Sequence, residues 1–141
     1  MKHTLLIGMS VLLSLTFSSC KDDACDCNGQ LIGMWEADVF MSLESVGYPK
    51  DDNYSPLIEF KSDGSYDLLL DVNACGGEYS LSVNDSISIS SPGCTKICCD
   101  SEFSVKLSTM LPQVSTYTIT GDELQLSVSG WGWIALNRIS E

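Results

Sequence analysis

Seven cysteines, nineteen aspartates and glutamates and one histidine carry whatever chemistry this 141-residue chain performs. Cysteine can take a lipid, close a disulfide, hold zinc or act as a redox thiol, and its surroundings decide which. Cys94, Cys98 and Cys99 form a Cys-x3-Cys-Cys cluster without the paired Cys-x2-Cys knuckles of a structural zinc site, so no metal site is predicted. No Cys-x-x-Cys is present, and Asp22, Asp23 and Asp26 beside Cys25 and Cys27 oppose a thiolate there, which argues against thiol-redox catalysis. The only histidine is His3. In a chain this acidic, carboxylate pairs arise by chance, so no catalytic residue and no cofactor are predicted, and the expectation is a protein that is not an enzyme.

The N-terminus reads as a processing signal. Met1-Lys2-His3 precedes an apolar run from Leu5 to Phe17. As a helix that run covers about 20 Å, short of the roughly 30 Å hydrocarbon core, so a secretory signal peptide is expected and a spanning helix is not. Ser18-Ser19-Cys20 resembles the lipobox of bacterial lipoproteins, with Phe17 where the common pattern has leucine. The resemblance implies cleavage before Cys20 and lipidation of Cys20 as the new N-terminus, and several acyl chains suffice for stable anchoring. Lys21-Asp22-Asp23 is similar to the signal that sends lipoproteins of the Bacteroidetes to the outer face of the outer membrane. The expected location is therefore the outer membrane, lipid-anchored and surface-exposed, with its periplasmic face as the alternative.

Such processing removes His3, and with it every histidine-dependent mechanism. With Cys20 consumed by lipid, Cys25, Cys27, Cys75, Cys94, Cys98 and Cys99 remain, an even number in an exported chain, and they are disulfide candidates. Their pairing stays open. The adjacent Cys98 and Cys99 are expected to take different partners, for instance Cys75 with Cys99.

A net charge of −12 without a basic cluster excludes nucleic acid as a partner. Asp51-Asp52-Asn53 and Asp63 lack the spacing of an EF-hand loop. Trp131-Gly132-Trp133 beside a turn is a candidate stacking platform for sugar or lipid, set against ordinary aromatic packing. The partners expected are the membrane, through the lipid on Cys20, and an envelope or extracellular protein whose identity the sequence leaves open.

These residues need elements to position them, and the patterning supplies a strand-rich set. Trp35, Ala37, Val39 and Met41 alternate with polar residues, the period of a half-buried strand, and residues 46–55 read as a loop. Leu57 to Phe60, the turn Lys61-Ser62-Asp63-Gly64 and the alternation Tyr66, Leu68, Leu70, Val72 describe a hairpin. A turn is expected from Asn73 to Gly77, then strands through Tyr79, Leu81 and Val83 and through Ile87 and Ile89, joined at Asn84-Asp85. The period then changes to three and four: Phe103, Lys106, Leu107, Met110 and Leu111 predict one short helix, capped by Asp100 or Ser101 and stopped at Pro112. A terminal hairpin turns at Gly121-Asp122, and a last strand runs from about Trp133 to Ile139. Meander, helix and terminal hairpin together indicate an α+β fold, a curled antiparallel sheet packed with one short helix.

Leu31-x-Gly33-x-Trp35, Ile58-x-Phe60-x-x-Asp63-Gly64, Gly77-Glu78-Tyr79, Thr95-Lys96-Ile97-Cys98-Cys99 and Val114-x-x-Tyr117-x-Ile119-x-Gly121-Asp122-x-Leu124-x-Leu126 resemble, in that order, the META domain family, the HslJ-like exported lipoproteins. The resemblance spans Leu31 to Ile139. It implies a small α+β domain in the cell envelope, with links to heat shock and stress tolerance in some members, and supplies no reaction and no catalytic residue. The organisation expected is a signal peptide over residues 1–19, an acidic tether over 20–30 carrying the lipidated Cys20, and a META-like domain over 31–141. The function expected is a non-catalytic envelope lipoprotein acting through protein contacts, the alternative a lipocalin-like surface protein binding a small ligand or glycan.

Overall fold

Alternating apolar residues separated by short turns fold here into a closed antiparallel sheet. The computed structural model describes residues 27–51 and 53–140. The expected signal peptide, Cys20, Lys21, Asp22, Asp23 and Cys25 lie outside the described residues.

Along the chain come α1 (Cys27–Leu31), β1 (Gly33–Ser42), β2 (Gly47–Pro49), β3 (Leu57–Phe60), β4 (Ser65–Leu69), β5 (Ala74–Ser82), β6 (Ser86–Ile89) and β7 (Gly93–Cys94). There follow α2 (Glu102–Met110), a 3-10 turn (Leu111–Gln113), β8 (Val114–Thr120), β9 (Glu123–Val128) and β10 (Gly132–Arg138). Spatial order is β10-β9-β8-β6-β5-β4-β3-β1, and β10 pairs β1 to close the ring. Strand β2 adds to β1 and β7 to β5. The result is a barrel-like α+β fold, mostly antiparallel sheet, with α2 as its short packing helix. The five residues of α1 add a single turn ahead of β1, four of them within the segment expected as tether.

The interior is filled by side chains. Trp35, Phe40, Ile58, Phe60, Leu68, Leu124, Leu126, Ile134 and Leu136 are fully buried, and Leu107, Met110 and Leu111 from α2 and its 3-10 turn belong to the same cluster. The polar tips of the buried aromatics are satisfied: Trp35 Nε1 donates to Leu31 O (2.8 Å) and Tyr66 Oη to Ser90 O (2.8 Å). Arg138 lies over the Trp35 ring, 4.1 Å from its centroid, and its guanidinium donates to the carbonyls of Gln30 and Ile32, so β10 holds the entry to the domain.

Three expectations need correction. In β1 the buried residues are Trp35, Ala37 and Phe40, because the register with β10 shifts between Ala37 and Val39. A bulge there moves the following side chains to the opposite faces, so Phe40 points inward where Val39 and Met41 were expected. The region 46–55 is not loop throughout, since Gly47–Pro49 pairs with β1 as β2. The expected turn over 73–77 is strand: β5 begins at Ala74, and the reversal sits at residues 70–73, where Leu70 N donates to Asn73 O (2.8 Å). Gly76 and Gly77 serve close packing instead. A Cβ on Gly77 would lie 2.7 Å from the Tyr66 ring and 2.6 Å from Ser90 Oγ.

Candidate functional site

The cysteines of the described domain gather where β5 meets β7. Cys75 and Cys94 stand opposite one another in register and are disulfide-bonded, with Cα atoms 4.0 Å apart. Cys75 is nearly buried and Cys94 is exposed. Cys98 and Cys99 are bonded to each other across a cis peptide, against the expectation that neighbours would take different partners, and Cys75 is not joined to Cys99. Strand pairing of β5 with β7 sets Cys75 opposite Cys94. Cys27 starts α1.

A buried asparagine organises the loop that carries these cysteines. Asn73 Oδ1 accepts from Thr95 Oγ1 (2.7 Å) and Ile97 N (2.8 Å), while its Nδ2 donates to Ile97 O (2.7 Å) and Asp100 Oδ2 (2.6 Å). Asp100 Oδ1 accepts from the amides of Val72 (2.9 Å) and Asn73 (3.2 Å). Burial pushes the Asp100 carboxyl up, but these hydrogen bonds outweigh it and hold the group below the usual carboxylate range. Asp71 accepts from Ser101 N (2.6 Å) and Ser104 Oγ (2.8 Å), and Ser101 Oγ caps α2 by accepting from Ser104 N (3.2 Å). The 70–73 reversal therefore fixes both the cysteine loop and the start of α2.

On the exposed side of α2, Lys106 reaches into a box of aromatic rings. Its Nζ lies 4.5 Å from the centroid of Trp131, 4.8 Å from Tyr48 and 5.3 Å from Phe40, within cation–π range of all three. The rings come from separate elements. Phe40 is on β1, Tyr48 on β2, and Trp131 in the β9–β10 turn, where Trp131 N donates to Val128 O (3.1 Å) and Trp131 O accepts from Leu43 N (2.9 Å). Phe103 of α2 backs the box, 4.6 Å from Phe40 centroid to centroid.

Two open clefts flank the Lys106 side chain, of about 460 Å³ and about 390 Å³. Glu102 and Lys106 wall both; Asp100, Gln113 and Trp131 line the larger, and Asp51 and Tyr48 the smaller. Such a surface can hold a ligand by cation–π, ionic and hydrogen-bonding contacts, and among the described residues no group of three or more His, Cys, Asp or Glu is placed to bind a metal ion.

The Trp131-Gly132-Trp133 platform does not form as one surface. Trp133 follows the outward alternation of β10, opposite Met41, whereas Trp131 packs beside Phe40. Gly132 between them has φ +146°, and a Cβ there would overlap the Met41 carbonyl, so only glycine allows this approach of β10 to β1. Sequence reading missed Tyr48, Phe40 and Asn73 as site residues. The available signal was Lys106, a cation at the apolar spacing of α2 between Phe103 and Met110.

A small closed antiparallel sheet with one packing helix, a disulfide-stapled loop and an aromatic box around Lys106 defines an α+β module of the META type. The META domain model matches residues 30–136, and the chain belongs to the META domain family. The fold is similar to that of a protein from Burkholderia xenovorans solved by NMR, at 13% identity with 99% of each chain covered and a TM-score of 0.68. It is also similar to a duf4847 family protein from Bacteroides vulgatus, at 16% identity, 77% of this chain and 94% of that one covered, TM-score 0.57. No curated protein matches the sequence.

Proposed function

We propose that this META-domain protein is a non-catalytic lipoprotein of the cell envelope, anchored to the outer membrane by lipid on Cys20 and acting through non-covalent contacts of its folded domain in support of envelope integrity under stress. The observation that carries the contact reading is the packed interior: Trp35, Phe40, Phe60 and Tyr66 fill the barrel, so recognition falls to the outer surface rather than to a lipocalin-like internal cavity. The anchor reading is supported by Ser18-Ser19-Cys20 behind the apolar run from Leu5 to Phe17. Among the described residues no helix is long and apolar enough to cross a membrane. Lys21-Asp22-Asp23 supports display on the outer face.

The test is fractionation of cells expressing the full chain or Cys20→Ala, with intact mass spectrometry of the purified protein. A lipid adduct on Cys20, and release of Cys20→Ala from membranes, are expected. Unchanged membrane association of Cys20→Ala would sink the anchor.

A further inference from the structure

We propose that the cleft divided by Lys106 is a binding site for a small organic cation carrying an alkylated ammonium head, which takes the place of the Lys106 ammonium between Trp131, Tyr48 and Phe40. This goes beyond anchorage and is independent of it.

The box already holds a positive charge, since three ring faces converge on one nitrogen at 4.5, 4.8 and 5.3 Å. Ring faces carry the negative part of the aromatic quadrupole and attract a cation, and aromatic cages of this kind are suited to quaternary ammonium groups. The fold builds the box from three separate elements. Gly132 fixes the Trp131 turn against Met41, and β2 brings Tyr48 alongside β1 in register with Phe40. Trp131 and Tyr48 stand 6.5 Å apart, centroid to centroid, inclined by 38°.

The present occupant is replaceable. Lys106 projects from α2 on a flexible four-carbon stem, and its primary ammonium is strongly hydrated, so its return to water is inexpensive. An alkylated ammonium holds its water weakly and loses little on entering the rings. The clefts on both sides give the displaced stem and the ligand's substituents room. Charge favours the same class of ligand. Glu102 walls both clefts and Asp51 the smaller, so once Lys106 swings out the site is anionic, within a chain of net charge −12 that attracts cations and repels anions. Lys106 thus acts as a built-in competitor that sets the affinity for the external cation.

The experiment titrates tetramethylammonium chloride and choline chloride into the purified full chain while tryptophan fluorescence is followed, with sodium chloride at matched ionic strength as reference. Trp35 is fully buried and Trp133 lies outside the box, so the tryptophan that a bound cation would contact is Trp131. Saturable binding by the unaltered protein is expected, strengthened about tenfold in Lys106→Ala; Trp131→Ala, which removes the reporter and is therefore followed by isothermal titration calorimetry, should reduce it at least about tenfold. Lys106→Gln, which keeps the first two methylenes of the stem and removes the charge, should bind tighter than the unaltered protein and serves if Lys106→Ala is poorly folded by circular dichroism. The proposal is overturned if folded Lys106→Ala and Lys106→Gln bind neither cation, if sodium chloride gives the same response, or if removing the Lys106 charge weakens binding.

Discussion

The cysteines show how residue type and residue partner differ in legibility. That Cys75, Cys94, Cys98 and Cys99 can pair is a matter of residue type, but which pairs form depends on Cys75 facing Cys94 across β5 and β7, a register the sequence does not print. The two bridges should differ in worth. Cys75–Cys94 spans 19 residues and, in the chain-entropy model, stabilises by about 3 kcal/mol, whereas Cys98–Cys99 closes no loop beyond the dipeptide. Denaturant melts of Cys75→Ser/Cys94→Ser should show that loss, and Cys98→Ser/Cys99→Ser a change under about 1 kcal/mol; equal losses would contradict the loop-length account. Asn73 was illegible for a related reason, because its partners lie 22 to 27 residues downstream. Asp100, bonded to Asn73 and Val72, supplies a pH dependence. Its carboxyl is held below the unfolded value near pH 4, so it contributes stability above that value, and the contribution is lost as pH falls through the folded pKa. Melting midpoints between about pH 5 and 2 should fall less steeply for Asp100→Asn than for the unaltered protein.

Elements with strong local signals were read correctly, and those decided by neighbours were not. The β3–β4 and β8–β9 hairpins follow from alternation around Asp63-Gly64 and Gly121-Asp122, and Asn84 and Asp85 adopt positive φ at the β5–β6 turn, as their types allow. Helix α2 follows from its spacing and from Ser101, one of the two caps anticipated. The bulge in β1 and the short β2 carry no such signal, because a strand that serves β10, β2 and β3 at once is shaped by all three. The glycines of β5 misled for a physical reason: Gly-Gly is common in turns, but here the missing side chain of Gly77 admits the Tyr66 ring and that of Gly76 admits the Tyr66 carbonyl. Gly77→Ala tests this. A Cβ at 2.7 Å from that ring forces Tyr66 to move and strains its hydrogen bond to Ser90 O, so a loss of about 1 to 3 kcal/mol is expected by thermal or denaturant melting. Gly121→Ala, at φ +60° with open space around it, should cost about 1 kcal/mol through backbone strain alone, leaving the Tyr66 environment unchanged by NMR.

At the scale of the whole molecule, the sheet class and the packing of a helix onto it were legible because each rests on local periodicity, whereas closure was not. Closure joins Trp35 to Arg138 and Met41 to Trp133, residues about as far apart in sequence as the domain permits. The same separation that hides closure from sequence reading makes it entropically expensive, since bringing such ends together precedes any reward from their contacts. The β3–β4 hairpin, by contrast, closes over a short turn and buries Ile58 against Leu68 in register. These costs order the assembly, with local hairpins and their apolar faces forming before β10 docks on β1. Leu136→Ala and Ile58→Ala both empty fully buried positions and should each cost about 2 to 5 kcal/mol. Their kinetic signatures should differ. Leu136→Ala should speed unfolding more than Ile58→Ala does, because Leu136 pairs with Ala37 across the late seam as well as with Leu124 in the local β9–β10 hairpin, while Ile58→Ala should mainly slow folding. Stopped-flow chevrons of the disulfide-intact protein decide between them. If both variants slow folding by the same factor, closure of the barrel is part of the nucleus, and the β1–β10 seam is where the fold begins rather than where it is completed.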